Sequence, residues 1–358
     1  MYDIAIVGAG PAGATLARLV GGSYKVLCVD RRPAVGTSGG FSTGKCCGGL
    51  LAPDAQKMLS QLGLGLPKSV LVGPQLFVVK AIDIPHRLER FYQRHYINMN
   101  RQKFDSWLLS MIPPKVDLRT SCRLQAYASE SEGFQLTLRE GNRTYAERAR
   151  ILVGADGATS RIRLQAGSAD LHPKRYVAIQ EWVEGESNPF PYFTSLFDPE
   201  ITDYYCWTIP KEGSLVVGAA LHPEQRPGEK FELLKMKLRG YGFRLGKTIR
   251  KEGAFILRPM KNKQLFTGGR GVALIGEAAG WISPSSAEGL SYALKSALLL
   301  AEALRPTPVD FEKRYGEKTQ PLRRNLFLKA IKSHFLFNPI LRKAVMRSGL
   351  QGMEISHG

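Results

Sequence analysis

The sequence predicts an α/β fold in which a parallel sheet carries an inserted antiparallel sheet and a C-terminal helical extension. Three observations predict it: a glycine-rich turn between a strand and a helix near the N-terminus, two later glycine turns that follow apolar strands, and runs of alternating apolar residues between these landmarks. The 358 residues suffice for roughly two structural units of about 100–200 residues each.

The first landmark begins with a short apolar strand over residues 3–7, and a helix follows through Val20. The turn between them reads Gly8-Ala9-Gly10-Pro11-Ala12-Gly13. Its first glycine suits a tight turn, its second lets the backbone approach a pyrophosphate, and its third allows close packing of helix on strand. Free N–H groups at the helix N-terminus would bind the phosphates. The candidate cofactor-binding residues here are Gly8, Gly10, Ala12 and Gly13.

A second strand over residues 24–29 ends at Asp30, an acid about 20 residues past the glycine turn, where a carboxylate would hold ribose hydroxyls. Arg31 follows as a further cofactor-binding candidate. Strand, glycines, helix, strand and acid together predict a Rossmann-type dinucleotide-binding unit. Taken alone, they leave an NAD dehydrogenase open.

Two later strands also end in glycine turns. Residues 149–155 lead into Asp156-Gly157-Ala158-Thr159-Ser160-Arg161, and residues 272–275 lead into Gly276-Glu277. The three segments, in this order, resemble the FAD signatures of the p-hydroxybenzoate-hydroxylase-like flavoproteins. The resemblance implies FAD as the cofactor, with Asp156 near the dinucleotide and Glu277 at the flavin ribitol, where the family usually has Asp.

The segment from Asn100 to Leu108 resembles the R-x-x-F-D-x-W-L helix of the geranylgeranyl-reductase family. The resemblance implies that Arg101 reaches toward the FAD phosphates and ribityl chain, and a surface arginine is the alternative. Phe104, Trp107, Leu108 and Met111 have helical spacing and are predicted to form the buried stripe.

The most specific resemblance lies in two segments, residues 45–53 and residues 276–294. Both resemble the bacterial branch of the geranylgeranyl-reductase family that includes the CbrA-type proteins. The resemblance places Lys45, Cys47 and Gly48 at the cofactor, Gly49 at the substrate, and Gly289 and Leu290 under the pyrimidine side of the flavin. For Ser285, Ser286 and Glu288, helix capping is an equal alternative to a role at the flavin.

Cys47 is the candidate catalytic residue. A thiol at this position could donate a proton to a substrate carbon, or it could simply shape the pocket. The neighbouring Cys46 occupies a position where the family usually has another residue.

The segment Tyr205-Cys206-Trp207-Thr208-Ile209-Pro210 resembles the Y-x-W-x-F-P motif that lines the prenyl-binding cavity in this family. Alternation on a strand directs Tyr205, Trp207 and Ile209 to one face, so they are the remaining substrate-binding candidates. A plain core strand is the alternative, and Ile209 stands where the motif has Phe.

The predicted FAD-binding domain comprises residues 1–66, 96–167 and 268–304. Residues 67–95 and 168–267 contain strand-like runs and are predicted to form an antiparallel substrate domain that covers the isoalloxazine face. Residues 305–358 form the predicted C-terminal helical extension.

The charge balance favours an anionic partner, because 50 Lys and Arg residues outweigh 31 Asp and Glu residues for a net charge of +19. The sequence lacks the zinc spacings and basic–aromatic repeats of nucleic-acid-binding modules, so we do not expect nucleic acid. Residues 321–350 combine basic side chains with Leu and Phe in a pattern typical of helices that bind anionic membrane surfaces. Docking on the FAD domain is the alternative.

Five cysteines without paired spacing predict reduced thiols and no metal site, with Cys28 in a core strand. We find neither a secretory signal nor about 18 consecutive apolar residues. The sequence therefore predicts a cytoplasmic protein, peripheral at the inner membrane face if the C-terminal segment binds lipid.

The sequence thus favours an FAD-dependent oxidoreductase that reduces carbon–carbon double bonds of an apolar, isoprenoid-like small molecule. NAD(P)H is a possible electron donor, although no second glycine motif for a nicotinamide nucleotide is visible. The alternatives are a flavin monooxygenase acting on an apolar or aromatic substrate, a flavin halogenase suggested by the W-x-I-P run at Trp207, and a membrane-associated scaffold without turnover. The substrate and the oligomeric state stay open.

Overall fold

A computed structural model describes residues 1–33, 46–167, 171–184, 192–305 and 307–355, so the candidate Lys45 lies outside the described residues. The strands are β1 (Tyr2–Val7), β2 (Val26–Val29), β3 (Leu50–Leu51), β4 (Leu76–Asp83), β5 (Leu88–Asn98), β6 (Asp117–Arg119), β7 (Cys122–Glu130), β8 (Gly133–Glu140), β9 (Arg143–Gly154), β10 (Lys174–Glu184), β11 (Phe193–Phe197), β12 (Cys206–Lys211), β13 (Ser214–Leu221), β14 (Thr248–Arg258), β15 (Gly268–Gly269) and β16 (Val272–Leu274). The helices are α1 (Pro11–Val20), α2 (Pro53–Gln61), α3 (Arg101–Ser110), α4 (Arg161–Ala166), α5 (Pro227–Gly240), α6 (Leu290–Leu304), α7 (Phe311–Lys318), α8 (Gln320–Phe337) and α9 (Pro339–Ser348). Among the described helices, none combines the length and apolar character needed to span a membrane.

The chain divides into two compact units, and the first comprises Met1–Thr43, Gln102–Lys174 and Leu257–Lys329. Its sheet has the strand order β15-β16-β9-β1-β2-β6, and β8 and β7 continue from β9. Strand β1 pairs in parallel with both β2 and β9. Its last four residues are buried because a central parallel strand is covered on both faces, which explains its unbroken apolar run.

The second unit comprises Gly44–Arg101, Arg175–Ile256 and Ala330–Gly358. Its sheet has the order β14-β10-β13-β12-β11-β4-β5-β3. Neighbouring strands such as β12 and β13 are antiparallel, whereas β11 and β4 are parallel. Helix α5 contributes Phe231, Leu234 and Leu238 to the apolar core of this unit.

The bounds of the two units differ from the predicted domains. Residues 46–66 belong to the second unit, because Leu50 and Leu51 pair with the end of β5. Residues 305–355 do not form a third unit either. Tyr315 is buried in the core of the first unit, whereas Met346 is buried in an apolar cluster of the second.

Candidate cofactor and active site

The glycine turn after β1 packs closely against the end of β9. Gly8 has a φ of +103°, and a Cβ atom there would clash with the carbonyl oxygen of Ala155. A Cβ atom at Gly13 would clash with the carbonyl oxygen of Gly8. The packing role predicted for Gly13 is therefore confirmed, and α1 begins directly above the ends of β1 and β9.

Gly10 faces open space. A Cβ atom at this position would lie 3.9 Å from its nearest neighbour, Nη2 of Arg32, and the φ of −70° is one that any residue adopts. Nothing in the described part of the chain therefore demands glycine here. The first N–H groups of α1 have no partner within the helix, and the helix dipole is positive at this end. An open cradle of this kind fits the pyrophosphate of FAD.

Asp30 lies at the end of β2 beside this cradle. Its Oδ2 accepts the N–H of Ala9 at 2.7 Å, and both carboxylate oxygens accept N–H groups of Arg32. Burial acts to raise the pKa of Asp30, but Arg32 and the backbone donors outweigh burial and hold the pKa below its usual value. Sequence reasoning missed Arg32, whereas the candidate Arg31 is exposed. A ribose contact by Asp30 stays a prediction.

The second signature contains a buried carboxylate oxygen that lacks a partner. Asp156 Oδ2 accepts the N–H of Arg161 at 2.9 Å, whereas its Oδ1 has no hydrogen-bond partner within the described residues. Burial raises the pKa of Asp156. Its backbone nitrogen lies 3.0 Å from where a Cβ atom of Gly8 would be. A hydroxyl of bound FAD would satisfy this oxygen beside the glycine turn.

The third signature packs on the other side of α1. Gly276 has a φ of +57°, and a Cβ atom there would lie 2.9 Å from the Cβ of Ala12. Glu277 is buried, and its Oε1 accepts the N–H of Leu257 at 3.0 Å. The three signatures, far apart in sequence, therefore meet around the first turn of α1.

Arg163 connects the second and third signatures and was missed by sequence reasoning. This buried side chain donates hydrogen bonds to the carbonyl oxygens of Ala278 at 3.1 Å, Gln264 at 2.7 Å and Leu171 at 2.9 Å. Burial lowers the pKa of Arg163 to about 10, so the guanidinium stays charged at neutral pH. It thereby fixes the segment that follows Gly276.

The loop before α6 contains a helix cap. Glu288 accepts hydrogen bonds from the backbone N–H of Ser291 at 2.7 Å and from the hydroxyl of Ser291 at 2.6 Å. Glu288 therefore caps the helix, which was the alternative to a role at the flavin. Gly289 is the N-cap residue of α6 and Leu290 is its buried first residue. Their predicted position at the flavin stays a prediction.

Helix α3 begins at Arg101, which is half-buried, and its reach toward FAD stays a prediction. Phe104 and Leu108 are buried as expected, whereas Trp107 and Met111 are only half-buried. The predicted stripe is therefore confirmed in its first and third members.

In the second unit, the predicted substrate-binding residues lie together. The rings of Tyr205 and Trp207 are 5.5 Å apart, and Phe337 from α8 stacks on Tyr205 at 6.4 Å. A Cβ atom at Gly48 would clash with Cδ1 of Ile209. We call Tyr205, Trp207, Ile209 and Phe337 the aromatic wall. Burial raises the pKa of Tyr205 well above its usual value, although part of the side chain stays accessible.

Cys47 is half-exposed, whereas the other four cysteines are buried. Its Sγ accepts the N–H of Gly49 at 3.5 Å, and a thiolate at this position would act to raise the pKa of Tyr205 on the aromatic wall. Cys46 is buried and points toward the carbonyl oxygen of Ala178. The two adjacent thiols therefore differ in accessibility, and Cys47 is the one that solvent reaches.

Lys211 is a third residue that sequence reasoning missed. Its Nζ donates to the carbonyl oxygens of Gly49 at 3.1 Å and Met99 at 2.9 Å, and to Oδ1 of Asn98. Burial lowers the pKa of Lys211 to about 7, although the nearby Cys47 acts to raise it. Its position in the sequence could have predicted it, because side chains alternate along β12, so residues 205, 207, 209 and 211 lie on the same face.

Residues 1–191 match the family described as FAD binding domain. The chain belongs to this FAD-binding family. The match covers more than half of the chain and includes the glycine turn, the Asp156 turn and the Cys47 segment. It confirms FAD as the cofactor, in agreement with the open cradle at α1.

This FAD-binding protein is 42% identical to Protein CbrA of Escherichia coli O9:H4 (strain HS), an alignment that covers 98% of the chain and 94% of the relative. Its fold is similar to a geranylgeranyl bacteriochlorophyll reductase-like protein from Thermoplasma acidophilum, with a TM-score of 0.79, 19% identity, and coverage of 96% and 90% of the two chains. It is also similar to PqsL, a probable FAD-dependent monooxygenase from Pseudomonas aeruginosa, with a TM-score of 0.72, 18% identity, and coverage of 97% and 99%. These likenesses confirm the predicted p-hydroxybenzoate-hydroxylase-like fold class of the FAD-binding protein.

Proposed function

We propose that this flavoprotein reduces carbon–carbon double bonds of an apolar, isoprenoid-like substrate. The proposal rests on one accessible thiol, Cys47, which is followed directly by Gly48, the residue that packs against Ile209 of the aromatic wall. An apolar wall suits a hydrocarbon, which offers no polar group for recognition. A thiol can donate the proton that the reduction of a carbon–carbon double bond requires in addition to a hydride.

Bound FAD would supply the hydride, with electrons from NAD(P)H or another donor. Cys47 donates its proton to the second carbon of the double bond, and the electron pair of the S–H bond stays on sulfur. The N–H of Gly49, which already donates to this sulfur, stabilises the resulting thiolate. Tyr205 and Trp207 hold the substrate and exclude water. Solvent then reprotonates the half-exposed Cys47.

Two structural relatives support different reactions for this fold. One is named as geranylgeranyl bacteriochlorophyll reductase-like, and the other as a probable FAD-dependent monooxygenase. A reductase needs no oxygen, whereas a monooxygenase consumes it. Whether product forms without oxygen therefore distinguishes the proposed reductase from the alternative monooxygenase.

We expect the dithionite-reduced holoprotein to saturate a double bond of geranylgeraniol in an anaerobic single turnover. Cys47→Ala should slow this step by about a hundred-fold, within the range typical of general-acid catalysis, while FAD occupancy is unchanged. Mass spectrometry of the extracted lipid measures the gain of two hydrogens.

Cys46→Ala is the matched control, because this neighbouring thiol is buried and should affect turnover little. Product that forms only after oxygen is admitted would contradict the reductase and favour the monooxygenase. Equal and negligible effects of the two alanine variants would remove Cys47 from the chemistry.

We also propose that the protein binds anionic membranes through α8 and α9. Of the 17 large apolar side chains that are exposed among the described residues, eight lie within residues 321–350. They are Phe327, Leu328, Ile331, Phe335, Ile340, Leu341, Val345 and Leu350. Residues 318–353 contain no Asp or Glu, so every side chain with a full charge in this segment is basic. An apolar and purely basic surface is complementary to an anionic bilayer.

The opposite side of the segment is anchored to the protein. Arg342, which the sequence suggested as a surface cation, is buried and bonds Asp83 at 2.9 Å. Phe337 and Met346 belong to an apolar cluster of the second unit. One face of residues 321–350 therefore packs on the second unit while another face is exposed. Deleting these residues would remove part of the apolar core of that unit. Surface substitutions are the better probe.

We expect Leu328→Glu with Ile340→Glu to abolish co-sedimentation with anionic phosphatidylglycerol vesicles at low salt. Each added carboxylate opposes lipid anions, and nearby basic residues contribute about 1 kcal/mol each to such binding. The matched control is Leu164→Glu with Met236→Glu, since these side chains are 60% exposed and those of the test pair are 63% and 77% exposed. Equal losses in both double variants, or no binding of the wild-type protein, would contradict the proposal.

A further inference from the structure

A buried lysine and a half-exposed thiol contact the same backbone residue. Gly49 donates its N–H to Sγ of Cys47 at 3.5 Å and accepts a hydrogen bond from Nζ of Lys211 at 3.1 Å. A Cβ atom at Gly49 would lie 2.8 Å from that Nζ, so a side chain cannot stand between the lysine and the turn. Lys211 and Cys47 are thus neighbours across one glycine.

The surroundings of Lys211 hold its side chain in place. Three acceptor oxygens, on Gly49, Met99 and Asn98, match the three N–H donors of an ammonium group. The side chain is almost fully buried, so reaching this position has cost the ammonium its hydration. A neutral side chain with N–H donors could also hold the turn by hydrogen bonds. A buried positive charge is therefore not needed to fix the turn, which leaves a chemical role for the charge.

We propose that Lys211 is a positioning residue for Cys47, holding the Cys47-Gly48-Gly49 turn on β12 and supplying a positive charge beside the thiol. When Cys47 gives up its proton, the electron pair stays on sulfur and the ammonium compensates the new negative charge. The inference deepens the proposed function, in which Cys47 is the proton donor. It names the group that stabilises the thiolate left after Cys47 has donated its proton.

Alkylation of Cys47 by iodoacetamide tests the charge without any substrate or turnover, because the reagent reacts with the thiolate. In the FAD-loaded protein at pH 6, where a lysine with a pKa of about 7 is mostly charged, we expect Lys211→Met to slow alkylation of Cys47 about ten-fold, and Lys211→Arg to keep most of the wild-type rate. Peptide mass spectrometry assigns the modified cysteine. If Lys211→Met does not fold, Lys211→Gln gives the same comparison, since glutamine donates to a carbonyl without charge.

A purely structural role for Lys211 predicts the opposite sign. A loosened turn would expose Cys47 and Cys46, and both would then react faster. The buried Cys46 therefore reports opening of the turn in the same peptide. Lys235→Met is the matched control, because Lys235 is a partly buried lysine paired with Glu181 and Glu232. Unchanged or faster alkylation of Cys47 in the neutral Lys211 variants would overturn the proposal, whatever substrate the enzyme uses.

Discussion

A Gly10→Val protein is expected to purify folded but without its yellow cofactor. The nearest atom to a Cβ at Gly10 is 3.9 Å away, and the backbone there is in an extended conformation, so the protein itself accommodates the side chain. The valine instead occupies the space in which the pyrophosphate approaches α1. We expect FAD affinity to fall at least about a hundred-fold, equivalent to about 2.7 kcal/mol.

Absorbance of the purified protein and fluorescence titration of the apoprotein with FAD measure the effect. A second measurement is thermal, because a ligand that binds only the folded state raises Tm. Added FAD should raise Tm in the wild-type protein and in the control Gly22→Val, whose side chain would enter open space. Full FAD occupancy in Gly10→Val would refute the placement of the cofactor.

Arg163→Met is expected to lower the free energy of unfolding by about 3 kcal/mol, because the buried carbonyl oxygen of Ala278 and the partly buried ones of Leu171 and Gln264 lose their charged donor. The corresponding decrease in Tm is roughly 6–12 °C. FAD affinity should fall as well, since the Gly276–Ala279 turn loses the side chain that fixes it. Differential scanning fluorimetry with and without FAD separates the two effects.

Arg161→Met provides the control within the same helix. Arg161 is exposed, and its backbone N–H, which bonds Asp156, survives the substitution. We expect a change within about 0.5 kcal/mol. A Tm of Arg163→Met that coincides with that of Arg161→Met would show that the buried arginine does not tie the two signatures together.

Local features of the fold were predictable from the sequence, and long-range ones were not. The segment β1-α1-β2 is confirmed almost to the residue, because its apolar runs and glycines act over a few positions. Strand β3 could not be predicted, because a strand of two residues shows no periodicity in the sequence. Its pairing with β5 is what places it in the second unit. The compact units therefore differ from the predicted domains at residues 46–66.

The candidate site shows the same division. Glycines 8, 10 and 13 could be interpreted from steric requirements alone. Arg163 and Lys211 could not, because most of their partners are main-chain carbonyl groups that are distant in sequence, 101 to 115 positions away for Ala278 and Gln264 and 112 to 162 positions away for Met99 and Gly49. A backbone acceptor leaves no side-chain signature in a sequence. Only the alternation along β12 pointed to Lys211.

The pairing of β1 with β9, and of β9 with β16, has a consequence for how the protein is made. Tyr2–Val7 leaves the ribosome before its partner Arg143–Gly154, which follows about 140 residues later; at about 5–20 residues per second the interval is on the order of ten seconds. Val272–Leu274, which pairs with β9, comes later still. During translation β1 can pair early with β2, but its other edge lacks a partner until β9 emerges, and that edge is exposed to other nascent chains and to chaperones. Codon usage and chaperone supply between residues 8 and 154 should thus govern the yield of folded protein more than they do in domains whose strands pair in sequence order.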